Sequence, residues 1–597
     1  MKKIINSYRI FAPDLYIILG TVVGSILLCA MTLFMCRVTL PEFAIITVPI
    51  MLMMLDIIGD FFVFQGVFSK NFDFGLLSTS LKGFGVLKMA VIGDQIRRLI
   101  QFTVVMIVCG IIIKPALFEK GFFGDNISYA GFLIVLILTM YCANNLALNV
   151  TRRFSNYAEG ILPMGFCSVL EGVALFAVEM LFLNEEKYDT MPLIIVMTII
   201  AIALTFIMNE RIRLKFMDSF GERETGRFGD DTRKKMIVFL LTAFGCSFLM
   251  IPAMKIGFDA GADLSAVMVA QMMYPACGVV LAKFFSYNEG KLPKAAYVTI
   301  LLTGMFTLII SGISLTVPMM VEFNGGQISV FYSIASTLVI IASIAFLIMV
   351  IASGAEKRKN AGLRFPNAGR SFLFVLLFVG LYFSYVLGNM MLQSIFTGGR
   401  LSEALNAFFS FFALDKDHAL WFSFVMKIIN VWLPVLINLP LSILIFVGEE
   451  YGWRYYLQPR MQKKFGVALG TILLGIAWGL WHAGADVMFY STETGLQMII
   501  VQIIACVSLG IFMGYAYMKT ENLWVPVMMH FFNNNLVSVL AGGNPVEAMT
   551  GKVIDWALIP TYIISYSVFW VFIFTPLMQG KIKTMSEKTS IDKIQEA

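Results

Sequence analysis

Apolar residues recur along this chain in blocks of about twenty, separated by short charged or Gly- and Pro-containing stretches. At 1.5 Å rise per residue, a block of that length crosses the roughly 30 Å hydrocarbon core of a bilayer as a helix. No ten-residue alternation of apolar and polar positions occurs, which argues against a transmembrane barrel. In lipid every backbone N–H and C=O must find its partner within the protein, so the spans are predicted to be α-helices. They fall near 15–36, 42–64, 99–118, 130–150, 160–184, 192–209, 236–257, 265–284, 296–319, 328–353, 371–396, 421–450, 466–489, 496–518, 523–540 and 556–577. The expected fold is an all-α polytopic membrane protein with about 16 transmembrane helices.

Charge orients these spans, because cytoplasmic loops collect Lys and Arg. With both termini cytoplasmic, most of the 44 Lys and Arg fall on inside segments. The outside loops then hold Arg37, Lys120, Lys187, Arg400, Lys416 and Lys552. A parity error in mid-chain would destroy that bias. The basic start MKKIINSYRIFAPD runs into an apolar block without a small-residue cleavage pattern, and reads as the flank of an uncleaved first span. Residues 419–464 are long for one span and contain Pro434 and Pro440, so one kinked helix continuing past the bilayer core is expected. The basic stretch ERIRLKFMDSFGERETGRFGDDTRKK (210–235) marks a module boundary, with six predicted spans before it and ten after. A second basic stretch, GAEKRKNAGLRFPNAGR (354–370), reads as a long internal loop. No repeat of 20–50 residues occurs.

Composition sharpens this picture. Of 597 residues 59% are hydrophobic and 14% charged, where a soluble domain carries about a quarter charged residues. The net charge of +6 follows from the topology. No nucleic-acid motif is present, so no nucleic-acid partner is expected, and the basic loops suit anionic lipid headgroups. The eight cysteines sit in or beside apolar runs without a CxxC pair. They read as small buried hydrophobes, with neither a disulfide nor a zinc site implied.

Residues 448–460, GEEYGWRYYLQPR, place two carboxylates and an arginine where the apolar run LPLSILIFV is still under way. Charges inside a bilayer cost a few kcal/mol each and point to function. Glu450 and Arg454 are i,i+4 helical neighbours that can pair. Glu449 lies about 100° round the helix and is left to face elsewhere. Of three histidines, His418 lies in the loop FFALDKDHAL and reads as solvated, whereas His482 and His530 lie inside spans. The basic turn MQKKFG (461–466) separates Glu449 from His482. Each lies roughly 20–25 Å along its helix from that turn, so a helical hairpin sets them at one height. In LWVPVMMHFFNNNL (523–536), His530 and Asn534 are i,i+4 and share a face. Converging in a cavity, these groups make the minimum kit for hydrolysis. Glu449 and His482 can hold and deprotonate a water, and His530 and Asn534 can donate to the oxyanion of a tetrahedral intermediate. No cofactor is expected. A three-ligand zinc site of Glu449, His482 and His530 stays open, although HExxH is absent and Asn534 is better suited as an oxyanion donor.

GEEYGWRYYLQP resembles the EExxxR motif of the CPBP family, the CAAX-type and bacteriocin-processing intramembrane endopeptidases. AWGLWHAG (477–484) resembles its second motif, an aromatic followed four residues later by His, here Trp478 and His482. HFFNN resembles the third, HxxxN, here His530 and Asn534. The GWR, LQPR and WGLWH contexts look like the bacterial bacteriocin-related branch rather than the prenyl-protein branch. The chain departs from the pattern at Tyr455, where the family usually has Gly, at Ala483 and Gly484, where Pro often follows the His, and at Trp478, where Phe is commoner. Tyr455 would narrow the cavity mouth if it faced inward. The resemblance implies a glutamate-type peptidase with Glu449 and His482 activating water, His530 and Asn534 as oxyanion site, and Glu450, Arg454 and Trp478 in support. It covers about 448–536, within a protease module expected over 236–580 and followed by a cytoplasmic tail at 581–597.

Residues 1–210, with six predicted spans and the amphipathic segment FGLLSTSLKGFGVLKMAVIGDQIRRL (74–99) between the second and third, look like a permease subunit of the second ABC type. Residues 211–235 form the linker. No Walker motif occurs, so a partner ATPase would be a separate chain. Asp56, Asp60, Glu171 and Glu179 lie in these spans, where they either line a polar path or pack helices together. The function expected is hydrolysis of small hydrophobic or membrane-associated peptides, of bacteriocin or pheromone-precursor type, in the bacterial plasma membrane. The alternative is a non-proteolytic transport or immunity component working with a separate ATPase.

Overall fold

The computed structural model describes residues 2–12, 17–37, 41–63, 83–119, 123, 125–151, 171–172, 174–175, 177–178, 189–218, 232–284, 290–323, 326–410, 420–541 and 550–581. These are almost wholly helical, as the apolar blocks predict. Twelve helices are long and apolar enough to cross a membrane, or thirteen when Val467–Trp481 and Ala483–Tyr490, bent by 42°, count as one span. The protein is an all-α polytopic membrane protein. The other predicted spans are accounted for individually. Pro41–Val63 and Trp524–Ala541 are helices of 23 and 18 residues, the latter made polar by Asn533, Asn534 and Asn535. The predicted span 160–184 falls largely outside the described residues.

Three elements lie where no span was expected. Lys2–Phe11, read from sequence as a basic flank, is a short amphipathic helix. Leu401–Ser410 is another. Met320–Phe323 pairs antiparallel with Gly326–Ser329 between two spans; the Asn-Gly step of VEFNGGQIS is a hairpin signal in an otherwise helical chain.

The chain divides into two compact units. One is Met1–Arg233 with Phe285–Tyr287 and Leu315–Pro318; the other is Lys234–Phe284, Asn288–Ser314 and Met319–Ala597.

In the first unit, Lys2–Phe11 packs along Gly83–Glu119, and Asn126–Thr151 along Met191–Asp218. Residues 83–99 of the predicted amphipathic segment are the first turns of the same helix that runs to Glu119, with Asp94 and Arg98 buried. Arg98 Nε donates to Asp56 Oδ2 and Nη2 to Asp94 Oδ2, each at 2.6 Å. Arg97 also pairs with Asp56, Asn144 Nδ2 donates to Asp56 Oδ2 at 2.6 Å, and Asp60 lies 3.7 Å from Arg98. Buried charge persists only when paired and hydrogen-bonded, and here Asp56 and Asp60 belong to helix packing. Glu171 is buried, and among the described residues neither carboxylate oxygen has a hydrogen-bond partner. Glu179 lies outside the described residues.

In the second unit, the helix Leu433–Glu450 is central. It packs against Ser265–Phe284, Val330–Ala352 and Trp524–Ala541. Gly448 permits the first contact, because a Cβ there would run into the backbone carbonyl of Met272. From Leu420 to Phe465 the chain stays helical through two π-helical turns, Ile428–Trp432 and Tyr451–Leu457. That is the long continuous helix its length predicts, with its irregular turns at Ile428–Trp432 and Tyr451–Leu457 and not at Pro440, which lies inside a regular α-helix. It ends at Gly466, whose φ of 85° few other residues adopt. Val467–Trp481 then returns against Gly495–Thr520. At Gly479 a Cβ would lie 2.6 Å from the Ile503 Cα. Small residues allow such approach between membrane helices.

Candidate active site

Glu449 and Glu450 close the helix Leu433–Glu450, and the chain passes directly into the π-helical turn Tyr451–Leu457. Such turns are frequent at functional sites, because the extra residue redirects the side chains that follow. Trp453 and Arg454 follow one turn after the two glutamates. Trp453 Nε1 donates to Glu449 Oε2 at 3.2 Å, and Arg454 Nε donates to Glu450 Oε2 at 2.8 Å. The doublet therefore splits into two environments.

Glu450 is fully buried and fully engaged. Its Oε1 accepts from His530 Nδ1 at 2.9 Å, so its carboxylate ties the EExxxR helix to the HxxxN helix. The Arg454 guanidinium lies 4.8 Å from the centre of the Trp478 ring, a cation–π contact made strong by desolvation. The Trp478 ring in turn meets His530 edge-on at 5.6 Å.

Glu449 is 2% exposed and faces a cavity of about 200 Å³. Its Oε2 takes a second indole N–H, from Trp478 Nε1 at 2.8 Å. Its Oε1 has no hydrogen bond to any described residue. Across the same cavity stands His482, at the corner where the helix Val467–Trp481 ends and the chain bends by 42°. Its Nδ1 lies 2.9 Å from the Trp478 carbonyl. A carbonyl only accepts, so Nδ1 carries the proton, and in the neutral ring Nε2 presents its lone pair. Trp481 packs edge-on against His482 at 4.8 Å and Gln271 Nε2 donates to the Trp481 carbonyl at 2.9 Å, which fixes the corner from the Ser265–Phe284 helix.

His530 and Asn534 also line the cavity. His530 donates Nδ1–H to Glu450, which leaves Nε2 facing the site. Asn534 Oδ1 accepts from Asn533 Nδ2 at 2.9 Å, which turns the Asn534 amide N–H groups outward as donors. Asn535 plays no part in the cavity. Its Oδ1 accepts from Asn438 Nδ2 at 3.0 Å, a link back to the central helix.

All four residues named from sequence as catalytic thus line one cavity, and Glu450 and Arg454 stand behind it. Tyr455 does not narrow the mouth. It stacks on Tyr451 at 4.8 Å and donates to the Asn360 carbonyl at 3.2 Å, on the side away from the cavity. Among the described residues no group of three His, Cys, Asp or Glu side chains is placed to hold a metal ion. Glu449, His482 and His530 do not form such a group.

Three participants were missed from sequence. Trp453 stands to Glu449 as Arg454 stands to Glu450, four residues on; the signal was present in GEEYGWR, but only the charged pair was read. Asn533 was passed over beside Asn534. Gln271 lies more than 170 residues before the motifs, and nothing in its local sequence marks it.

Comparison with protein families matches residues 430–536 to the family described as type II CAAX prenyl endopeptidase, Rce1-like. The matched segment carries all three motifs and both sides of the Glu449–His482 pair. It supports intramembrane endopeptidase activity in general terms, and makes this segment a CAAX-protease-like domain of a multi-pass membrane protein. No curated protein and no solved structure matches the chain.

Proposed function

We propose that the cavity hydrolyses peptide bonds with a water held between Glu449 Oε1 and His482 Nε2. One observation carries this reading: Glu449, with one oxygen left free by the two indoles, and His482, with one ring nitrogen left free by the Trp478 carbonyl, line the same cavity. Both are acceptors, so a water between them donates one hydrogen bond to each and keeps both protons, with an oxygen lone pair free to attack a carbonyl carbon. On attack the water loses a proton to this pair, and the carbonyl oxygen becomes an oxyanion. Asn534 donates to it through its amide. His530 donates from Nε2 when it carries both protons, a state whose charge Glu450 on Nδ1 balances. Collapse breaks the C–N bond, and the proton taken from water passes to the leaving amine. Glu450 and Arg454 support His530 and Trp478 rather than touch the reacting atoms.

The substrates proposed are small hydrophobic or membrane-associated peptides, of the bacteriocin or pheromone-precursor type, cleaved in a bacterial plasma membrane. A glutamic-type mechanism and this substrate range go beyond what the family match supports by itself. The test is incubation of the purified protein in detergent with a library of hydrophobic peptides. Cleavage without any partner ATPase supports the peptidase reading. Absence of cleavage across the library moves the balance to a transport or immunity component that retains the motif helices as a binding pocket.

A further inference from the structure

The cavity has a charged wall that the hydrolytic reading leaves unused. Among the described residues, Lys552 is the only Lys or Arg lining it, and Glu449 the only carboxylate. Lys552 belongs to the stretch that follows the HxxxN helix, and its backbone is fastened in place. Its N–H donates to the Tyr490 carbonyl at 3.0 Å, and two residues on, Ile554 N–H donates to Thr494 Oγ1 at 2.9 Å. Ile554 itself is buried against Met498 and Val501. Lys552 is exposed, so its ammonium stands where the cavity meets solvent, carried by backbone fixed to the corner between His482 and the Gly495–Thr520 helix. Lys552 makes no ion pair with any described residue. Tyr385 and Tyr566, stacked at 4.0 Å, line the cavity with it and present aromatic ring surface there.

A cation and a carboxylate on the wall of one cavity give it a polarity. An anionic group on a ligand is repelled by Glu449 and attracted by Lys552. The cavity, at about 200 Å³, is also smaller than the roughly 300–1,000 Å³ of ordinary ligand sites. It suits a short stretch of extended chain and not a folded loop.

We propose that Lys552 is a specificity-determining residue that binds a carboxylate of the substrate and so sets the direction in which the peptide lies across Glu449 and His482. The carboxylate is either the chain end or an acidic side chain near it; both present the same oxygens to the ammonium. A charge-assisted hydrogen bond is about twice as strong as a neutral one, and its loss at this site corresponds to a change in affinity of about tenfold or more. The peptide as ligand rests on the peptidase reading; the anion preference rests on Lys552.

The experiment measures binding of a backbone-N-methylated hydrophobic peptide, which resists cleavage, to the full-length protein in detergent. Three forms are compared: the free acid, the C-terminal amide, and the amide with one Asp near its end. The free acid, the Asp-bearing amide or both are expected to bind at least about tenfold more tightly than the plain amide. Whichever form is favoured identifies the source of the carboxylate. Lys552→Met should erase the difference and Lys552→Arg should keep it. Equal binding of all three forms to the wild-type protein overturns the proposal. So does a preference that survives Lys552→Met in protein with an unchanged melting temperature. Because binding is read without turnover, a protein that discriminates but cleaves nothing contradicts the peptidase reading and leaves this one standing.

Discussion

Glu449 and Glu450 are adjacent, equally buried and chemically identical, yet their surroundings assign them different work. Glu450 is held on both oxygens, by Arg454 and His530. Glu449 is held on one, by two indoles. Removing charge from each should therefore have opposite consequences. Glu450→Gln leaves Arg454 buried without its counter-ion, and breaking a buried pair costs about 3–5 kcal/mol. That variant should accumulate poorly in membranes and melt at a lower temperature. Glu449→Gln keeps an acceptor for both indoles and should accumulate and melt as the wild type does. Comparing membrane levels and thermal melting of the two checks the division; equal stability of both variants would contradict it. The i,i+4 rule made the Glu450–Arg454 pair legible in the sequence, because opposite charges one turn apart have few alternatives inside a bilayer. The same rule placed Trp453 beside Glu449, but an indole in an apolar helix does not stand out until its N–H is seen to have an acceptor. Asn533 was hidden for a related reason: three consecutive asparagines look alike in sequence, and only packing shows that one faces the cavity, one orients it and one ties two helices together.

The elements that carry these side chains are positioned by close backbone contact as much as by apolar packing. Gly479 lets Val467–Trp481 approach Gly495–Thr520 one turn before His482. Gly479→Val forces the helices apart, at a cost of about 1–3 kcal/mol typical of overpacking, and displaces the His482 corner with them. The expected result is a lowered melting temperature together with a larger loss of peptide cleavage than of membrane accumulation. A variant that melts lower but cleaves at the wild-type rate would show that the corner is not set by this contact. The long helix through Glu449 was readable in advance from its length. The bend after Trp481 was not: no proline follows His482, and Gly484 is the one weak local signal that the helix is interrupted. The corner is imposed from outside, by Gln271 bonded to the Trp481 carbonyl and by Trp481 Nε1 donating to the Ala243 carbonyl at 2.8 Å.

Among the described residues, hydropathy alone predicted an all-α polytopic membrane protein, because a bilayer leaves the backbone few choices. What it could not separate was polarity used for packing from polarity used for chemistry. Asp56 and Asp60, on one helix face in the first unit, resemble a functional pair in sequence. They are neutralised by Arg97 and Arg98 from the helix Gly83–Glu119. In the second unit the same kind of buried network, Glu450 with Arg454 and His530, leaves Glu449 and His482 unsatisfied toward a cavity. That contrast is why the proposed activity is placed in the second unit, and the proposed water activation by Glu449 and His482 calls for neither added metal nor nucleotide. Cleavage by the purified protein should persist after treatment with a strong chelator and without ATP. Loss of activity in chelator, restored by zinc, would require the Glu449, His482 and His530 side chains to rearrange into a ligand set.

The most direct measurement is the rate of peptide cleavage by purified Glu449→Gln and His482→Ala proteins beside the wild type, each with its melting temperature recorded. Removal of either half of a water-activating pair should lower the rate by about 10²–10⁴-fold while the protein stays folded in the membrane. Two well-folded variants that cleave at the wild-type rate would contradict a water held between this carboxylate and this imidazole.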